Sequence, residues 1–175
     1  MRRGLLPLVF LLASLHAAPA SATTLVGPDG SPAPHRYQAW LAGAQVPTPA
    51  GTVTLQLAPC PSGPEWAGGC ADMQARTIYL GPEARNRARF FHELGHIFDA
   101  TAMTDPLRAR FQALVHRAGT WAASAASDPP QEQFAEAYAM CARHRTAHAI
   151  QFGMYGYSPS PRMHREACAI IRAAG

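Results

Sequence analysis

Apolar positions along the chain recur with two different periods, and the change of period predicts where strands and helices lie. Residues 52–57 (TVTLQL) alternate β-branched or apolar residues with polar ones, which indicates a half-buried strand. A shorter strand is predicted at residues 76–80 (RTIYL), before a Gly-Pro pair that ends it. From residue 83 to residue 100 the period becomes helical. One apolar stripe carries this helical period, formed by Phe90, Leu94, Ile97 and Phe98.

Further helical patterns surround this central segment. They cover residues 35–44, 105–118, 128–145 and 162–173. In the third of them, Asp128 followed by Pro129 is a favourable N-cap and first helical position. Few strands and several helices predict a small α+β domain, with a short sheet and a mostly helical C-terminal part.

The N-terminal residues 1–22 have the pattern of a secretory signal peptide. Arg2 and Arg3 precede an apolar run over residues 5–15, and the small residues at 20–22 suit signal peptidase. The run is about half the ~20 residues that a membrane-spanning helix requires, although a non-cleaved anchor is the alternative. We therefore expect export to a periplasmic or extracellular location and no stable membrane span after cleavage.

The expected mature chain begins near Thr23. Residues 23–34 are rich in Pro, Gly, Ser and Thr, which predicts a flexible, extended tether. A chain of 175 residues indicates one domain, which we place at residues 35–175. The fifteen basic residues are all arginine, are dispersed, and stand against eleven acidic ones. Such a charge pattern argues against a nucleic-acid partner.

Four cysteines in an exported protein indicate disulfide bonds. Cys60 and Cys70 bracket a loop rich in Pro and Gly, so they form a natural local pair. Cys141 and Cys168 lie in two C-terminal helical patterns and are able to join them. The alternative is a four-thiolate zinc site, which the absence of any C-x-x-C pair disfavours.

The central helical segment contains the motif H-E-x-x-H, formed by His92, Glu93 and His96. Residues four apart on a helix share a face, so both imidazoles can reach one metal ion. Glu93 is rotated from the pair, close enough to hold a water molecule without ligating the metal. The alternative interpretation is two partly exposed histidines on an ordinary helix.

A catalytic zinc site normally has three protein ligands and one open position. Glu132 and Glu136 are the strongest downstream candidates for the third ligand, four residues apart on one helical face. A nearby cation would reverse the repulsion between their charges. Both carboxylates would equally suit an exposed helix N-terminus, so spacing alone does not decide between these interpretations.

The segments FHELGHIFD and EQFAEAYAM together resemble the glutamate-zincin metallopeptidases, in particular the lethal-factor-type catalytic domains. This resemblance covers about a third of the chain and implies a zincin-like fold. It also implies that Glu132 is the third zinc ligand and Glu136 a nearby acid that supports the ligands. Asp99 matches the aspartate of the motif and is assigned a supporting role, although an ordinary helix-surface aspartate is an equal alternative.

The chain departs from the family pattern in one respect. Lethal-factor-type enzymes place a tyrosine, which stabilises the oxyanion, a few residues before the ligand glutamate, where this chain has Trp121 and small residues. Tyr155 and Tyr157, in a later loop, are the candidates for that role. The resemblance also implies that strand 76–80 is the edge strand that pairs with an extended substrate.

Together these features predict a secreted zinc metalloendopeptidase with one Zn²⁺ per chain. Its substrate would be a peptide or protein, with Glu93 as the general base. One alternative is an amidase that cleaves cell-wall peptides at the same metal site. The other is a non-catalytic secreted module that binds zinc or a partner.

Overall fold

The computed structural model describes residues 23–61, 68–122, 129–149, 151 and 153–175. The predicted signal peptide and the predicted N-cap Asp128 lie outside these residues. In chain order, the strands are β1 (Thr23–Val26), β2 (Gly51–Gln56), β3 (Gly69–Asp72) and β4 (Thr77–Leu80). The α-helices are α1 (His35–Ala42), α2 (Arg87–Ala102), α3 (Asp105–Leu114), α4 (Pro130–Arg143) and α5 (Pro161–Arg172). The predicted α+β class is confirmed.

The four strands form one mixed sheet in the order β1-β2-β4-β3. β2 lies parallel to both β1 and β4, whereas β3 lies antiparallel to β4. The alternation predicted for residues 52–57 is confirmed, because Val53 and Leu55 point into the core. The prediction that strand 76–80 is an edge strand is wrong, since β4 has β2 on one side and β3 on the other.

The edge beside β4 belongs to β3, which sequence analysis did not predict. Its four residues, GCAD, contain no β-branched or aromatic side chain and carry no alternating pattern. Pairing with β4 fixes this segment as a strand, for example through Cys70 opposite Tyr79. Pairing with β4 therefore stabilises β3 as a strand although its own residues have low strand propensity.

The N-terminal segment also differs from its prediction. Residues 23–26, expected to belong to a flexible tether, form β1 and pair with β2 along four residues. Leu25 is buried in the core, and its carbonyl oxygen accepts a hydrogen bond from the Gln38 side chain at 2.9 Å. The Gly, Pro and Ser residues that follow β1 gave residues 23–34 the composition of a loop, so composition did not indicate the short strand at 23–26.

The central helix, α2, is buried on all sides, with every residue from Phe90 to Asp99 buried. It packs against β3 and β4 on one side and against α4 on another. Gly95 allows the close approach of α4, because a Cβ atom at this position would lie 3.1 Å from the Cα of Ala135. Among the described residues, no helix is both long and apolar enough to span a membrane.

The cysteines lie in the two pairs predicted, both at disulfide distance. The Cα atoms of Cys60 and Cys70 are 5.8 Å apart, and those of Cys141 and Cys168 are 5.5 Å apart. The first pair attaches the segment after β2 to the edge strand β3. The second joins α4 to α5 and thereby restrains the helix that carries Glu132.

Candidate metal centre

Helix α2 presents His92 and His96 on one face toward α4. The helix begins after Asn86, whose side chain caps it by accepting a hydrogen bond from the backbone N–H of Arg89 at 2.9 Å. One helical turn separates the two histidines, and their ring centroids are 5.0 Å apart. The close contact at Gly95, between them in sequence, brings the first turns of α4 against this face.

Helix α4 supplies two glutamates, which face different nitrogens of His92. Oε2 of Glu132 lies 3.1 Å from Nε2 of His92, and its Oε1 lies 3.5 Å from Nε2 of His96. Oε2 of Glu136 lies 3.3 Å from the other nitrogen of His92, Nδ1. The donor atoms of His92, His96 and Glu132 lie within 4.8 Å of one another, so these three residues form a group that can hold a metal ion.

The electrostatics of this group couple the histidines to the carboxylates. Burial lowers the pKa of His92, but hydrogen bonds to Glu132 and Glu136, together with the negative charges of Glu93 and Glu132, outweigh burial and raise the pKa to about 9. Burial raises the pKa of Glu132, but hydrogen bonds with His92 and His96 hold it well below its usual range. The carboxylates therefore favour positive charge at the position that a cation would take.

Glu93 is enclosed next to the ligand group. Glu93 is only 2% exposed. Burial raises the pKa of its carboxyl and outweighs the nearby charges of His92, His96 and Arg89, which lower it. The Arg89 guanidinium lies 3.6 Å from Oε1 of Glu93. A Cβ atom at Gly69 of β3 would lie 3.1 Å from the same oxygen, so this carboxylate faces the edge strand. Sequence analysis did not single out Gly69 or Arg89.

A cleft of about 180 Å³ opens over these residues. The cleft is lined by residues 69–71 of β3, by the motif residues His92, Glu93 and His96 of α2, and by Glu132 and Tyr155. Larger cavities, of about 890, 670, 430 and 420 Å³, lie elsewhere among the described residues, and none of them is lined by a predicted metal ligand. The cleft at the histidines is thus the cavity that combines a metal-binding group, a buried carboxylate and a strand edge.

The structure separates the two candidate tyrosines. The ring of Tyr155 stacks on the imidazole of His92, with centroids 5.3 Å apart and planes inclined by 24°. Burial and the nearby Glu132 raise the pKa of its phenol. Tyr157 is buried beside Phe111, and its hydroxyl has no hydrogen-bond partner among the described residues. Tyr155 lines the cleft, whereas Tyr157 belongs to the core.

Asp99 is a buried connector between helices. Its Oδ1 accepts a hydrogen bond from Nε of Arg108 on α3 at 2.8 Å. Its Oδ2 accepts bonds from Nε1 of Trp121 at 2.8 Å and from Nε2 of Gln131 at 3.2 Å. Gln131 precedes Glu132 in the first turn of α4. Asp99 thus ties the end of the histidine helix to the start of the glutamate helix.

A second group of potential ligands lies between α4 and α5. Cys141, Cys168 and His164 are close together and buried, but the two sulfur atoms are joined in the disulfide. The Nε2 atom of His164 lies 3.0 Å from the carbonyl oxygen of His144. Because disulfide sulfurs are not thiolates, we assign this group to structure rather than to metal binding.

Comparisons with protein-family models, with curated proteins and with solved structures found no match to this chain. The assignment of a function therefore depends on the two motifs and on the geometry of the cleft.

Proposed function

We propose that this protein is a secreted zinc-dependent endopeptidase with its active site in the cleft between β3, α2 and α4. The observation that carries the proposal is the convergence of His92, His96 and Glu132 on one position, with the buried carboxylate of Glu93 beside it. Two imidazoles and one carboxylate are the donor set of many catalytic zinc sites, in which one coordination position stays open. The resemblance to glutamate-zincins gives the same assignment.

The residues around the three donors suit a zinc ion. A bound zinc ion supplies Lewis acidity, which polarises a scissile carbonyl and lowers the pKa of water. Glu136 faces Nδ1 of His92 at 3.3 Å, so it can accept a hydrogen bond from Nδ1–H and leave the unprotonated Nε2 as the ligand atom. No carboxylate other than that of Glu132 is needed to complete the donor set.

Glu93 is assigned as the general base. Its carboxylate lies in the cleft beside the ligand group, and burial raises its pKa toward the range useful for proton transfer. In the proposed reaction it takes the proton from the attacking water and passes it to the leaving amine. Tyr155, stacked on His92, is assigned to donate a hydrogen bond to the oxyanion that develops on the carbonyl.

The edge strand β3 is assigned to hold the substrate. Within the part of the chain that the structure describes, β4 is its single sheet neighbour, so its other edge can pair with an extended peptide. Residues 69–71 line the cleft, which places a paired peptide beside Glu93. This arrangement supports peptide hydrolysis. The strand proposed to bind substrate is therefore β3 and not β4.

Export is part of the proposal. Its support is the signal-peptide pattern of residues 1–22, together with the two cysteine pairs at disulfide distance, which are compatible with an extracellular location.

The deciding experiment compares purified protein with the Glu93→Gln and His96→Ala variants. We expect about one zinc per chain in the parent and in Glu93→Gln, by elemental analysis. Hydrolysis of an unfolded protein should fall roughly 10²–10⁴-fold in Glu93→Gln, the usual contribution of a positioned base. His96→Ala should lose both metal and activity.

The remaining outcomes distinguish the alternatives. Cleavage of cell-wall peptide fragments without cleavage of unfolded protein would identify an amidase. Zinc retention without turnover of either substrate would indicate a binding module. A Glu93→Gln variant as active as the parent would refute the mechanism.

A further inference from the structure

Two exposed methionines stand out on the surface of the described residues. Among the described residues, the exposed large apolar side chains are those of Met73, which is 39% exposed, and Met154, which is 40% exposed. A single exposed apolar side chain needs no explanation. These two, however, lie at the same cleft: Met73 lines it, and Met154 precedes Tyr155, which also lines it.

Both methionine sulfurs are held by polar donors from the helices of the metal site. Nε2 of Gln131, in the first turn of α4, lies 3.4 Å from the sulfur of Met73. Nη2 of Arg89, in the first turn of α2, lies 3.6 Å from the sulfur of Met154. A thioether sulfur is a weak acceptor, so these contacts place each side chain at the rim of the cleft while leaving it accessible and adaptable.

The two methionines lie toward opposite ends of β3. A Cβ atom at Gly69, the first residue of the strand, would lie 3.2 Å from Cγ of Arg89, which holds Met154. Met73 follows the last residue of the strand, Asp72. A strand of four residues spans about 10 Å, so the methionines mark off a length that suits about four residues of an extended peptide.

We infer that the cleft selects peptides with a large apolar side chain near each end of this four-residue stretch, and that Met73 and Met154 are the contacts that select them. The inference rests on the proposed peptidase function and names its substrate class. Methionine is unbranched, flexible and polarisable, so it adapts to apolar partners of different shape. The selection is therefore for large apolar residues as a class, against charged residues, with little distinction among Leu, Met and Phe.

The test uses zinc-loaded protein and a matched set of short peptides. The peptides carry Leu, Ser or Asp at each of the two end positions around one scissile bond. We expect kcat/KM to fall about tenfold when Leu at one end is replaced by Ser, the lower range for loss of an apolar contact. Met73→Gln should remove the preference at one end only, and Met154→Gln the preference at the other.

Met163→Gln is the control, because this partly buried methionine lies on α5 and should leave both preferences intact. Equal cleavage of the Leu, Ser and Asp peptides would overturn the inference and leave the peptidase function standing. Binding of the same peptides to zinc-loaded Glu93→Gln provides a readout without turnover. If the parent cleaves neither these peptides nor an unfolded protein, the proposed function fails, whereas tighter binding of the Leu peptides to Glu93→Gln would still support selection by the two methionines. No difference in binding would then overturn the inference as well.

Discussion

At the scale of single residues, the cleft depends on Glu132 and Glu136, which lie four residues apart on one face of α4 but have different environments. Glu132 faces Nε2 of both histidines, whereas Glu136 is more deeply buried and faces Nδ1 of His92 alone. The first position suits a ligand, and the second suits a group that fixes the ring of a ligand. Their contributions to metal binding should therefore differ in size.

We expect Glu132→Ala to lower zinc affinity strongly, because it removes a donor atom from a three-residue site. Glu136→Ala should lower zinc affinity less, by about 10–100-fold, through loss of support for His92. Competition with a chromophoric chelator measures both values. Glu166→Ala is the control, since Glu166 pairs with Arg162 on the exposed side of α5. Loss of metal in Glu136→Ala alone would reverse the assignment.

The two tyrosines provide a second matched pair. Tyr155→Phe removes the hydroxyl assigned to the oxyanion, so we expect kcat to fall about 10²–10³-fold with zinc content unchanged. Tyr157→Phe removes a buried hydroxyl that has no partner among the described residues, so activity should be unchanged and stability equal or slightly higher. Steady-state kinetics and thermal unfolding check these outcomes. A large loss of kcat in Tyr157→Phe would contradict them.

At the scale of elements, the site exists because α2 and α4 approach closely. The contact at Gly95 sets their separation, and the buried carboxylate of Asp99 joins the same two helices through Gln131. The Cys141–Cys168 bridge restrains α4 from its other end. The metal-binding group is thus assembled by a helix pair that is fixed at several points along its length.

Gly95→Ala tests this packing directly. An ordinary Gly→Ala change within a helix stabilises a protein by up to about 1 kcal/mol. Here the added Cβ would lie 3.1 Å from both Cα of Ala135 and Cβ of Tyr138, so we expect the opposite sign, a loss of about 1–3 kcal/mol. Zinc affinity should fall with it, because α4 must move away from the histidines. Denaturant unfolding and zinc titration measure the two effects, and a stabilised variant would refute the close-packing argument.

At the scale of the whole molecule, the sheet connects the N-terminal residues to the site. β1 pairs with β2, β2 with β4, and β4 with the cleft strand β3. Cleavage of the predicted signal peptide before Thr23 would leave β1 intact at the new N-terminus. The first residues of the mature chain would then belong to the fold.

Leu25→Ala tests whether residues 23–26 are a strand of the fold or part of a flexible tether. Leu25 is buried in the core, so we expect the free energy of unfolding to fall by about 2–5 kcal/mol. Its neighbour Val26 is only partly buried, and Val26→Ala should cost less. Denaturant titration of both variants gives the comparison. Equal and negligible effects would restore the interpretation of residues 23–34 as a tether.

The sequence by itself determined the α+β class, strands β2 and β4, the approximate positions of the helices, and the cysteine pairs. It also placed His92 and His96 on one helical face. These features depend on local periodicity and on short spacing, which the chain carries in every context. Spacing left Glu132 and Glu136 equivalent, and although the motif resemblance implied Glu132, the tertiary structure supplies the physical basis by bringing Glu132 to both histidines. Only the tertiary structure decided that Tyr155 rather than Tyr157 reaches the cleft, and that β3 rather than β4 is the edge strand. The two glutamates share one helical face and the two tyrosines one loop, so only long-range packing distinguishes the members of each pair. The strands β1 and β3 were not predicted for a related reason. A strand of four residues is stabilised more by its partner in the sheet than by its own composition.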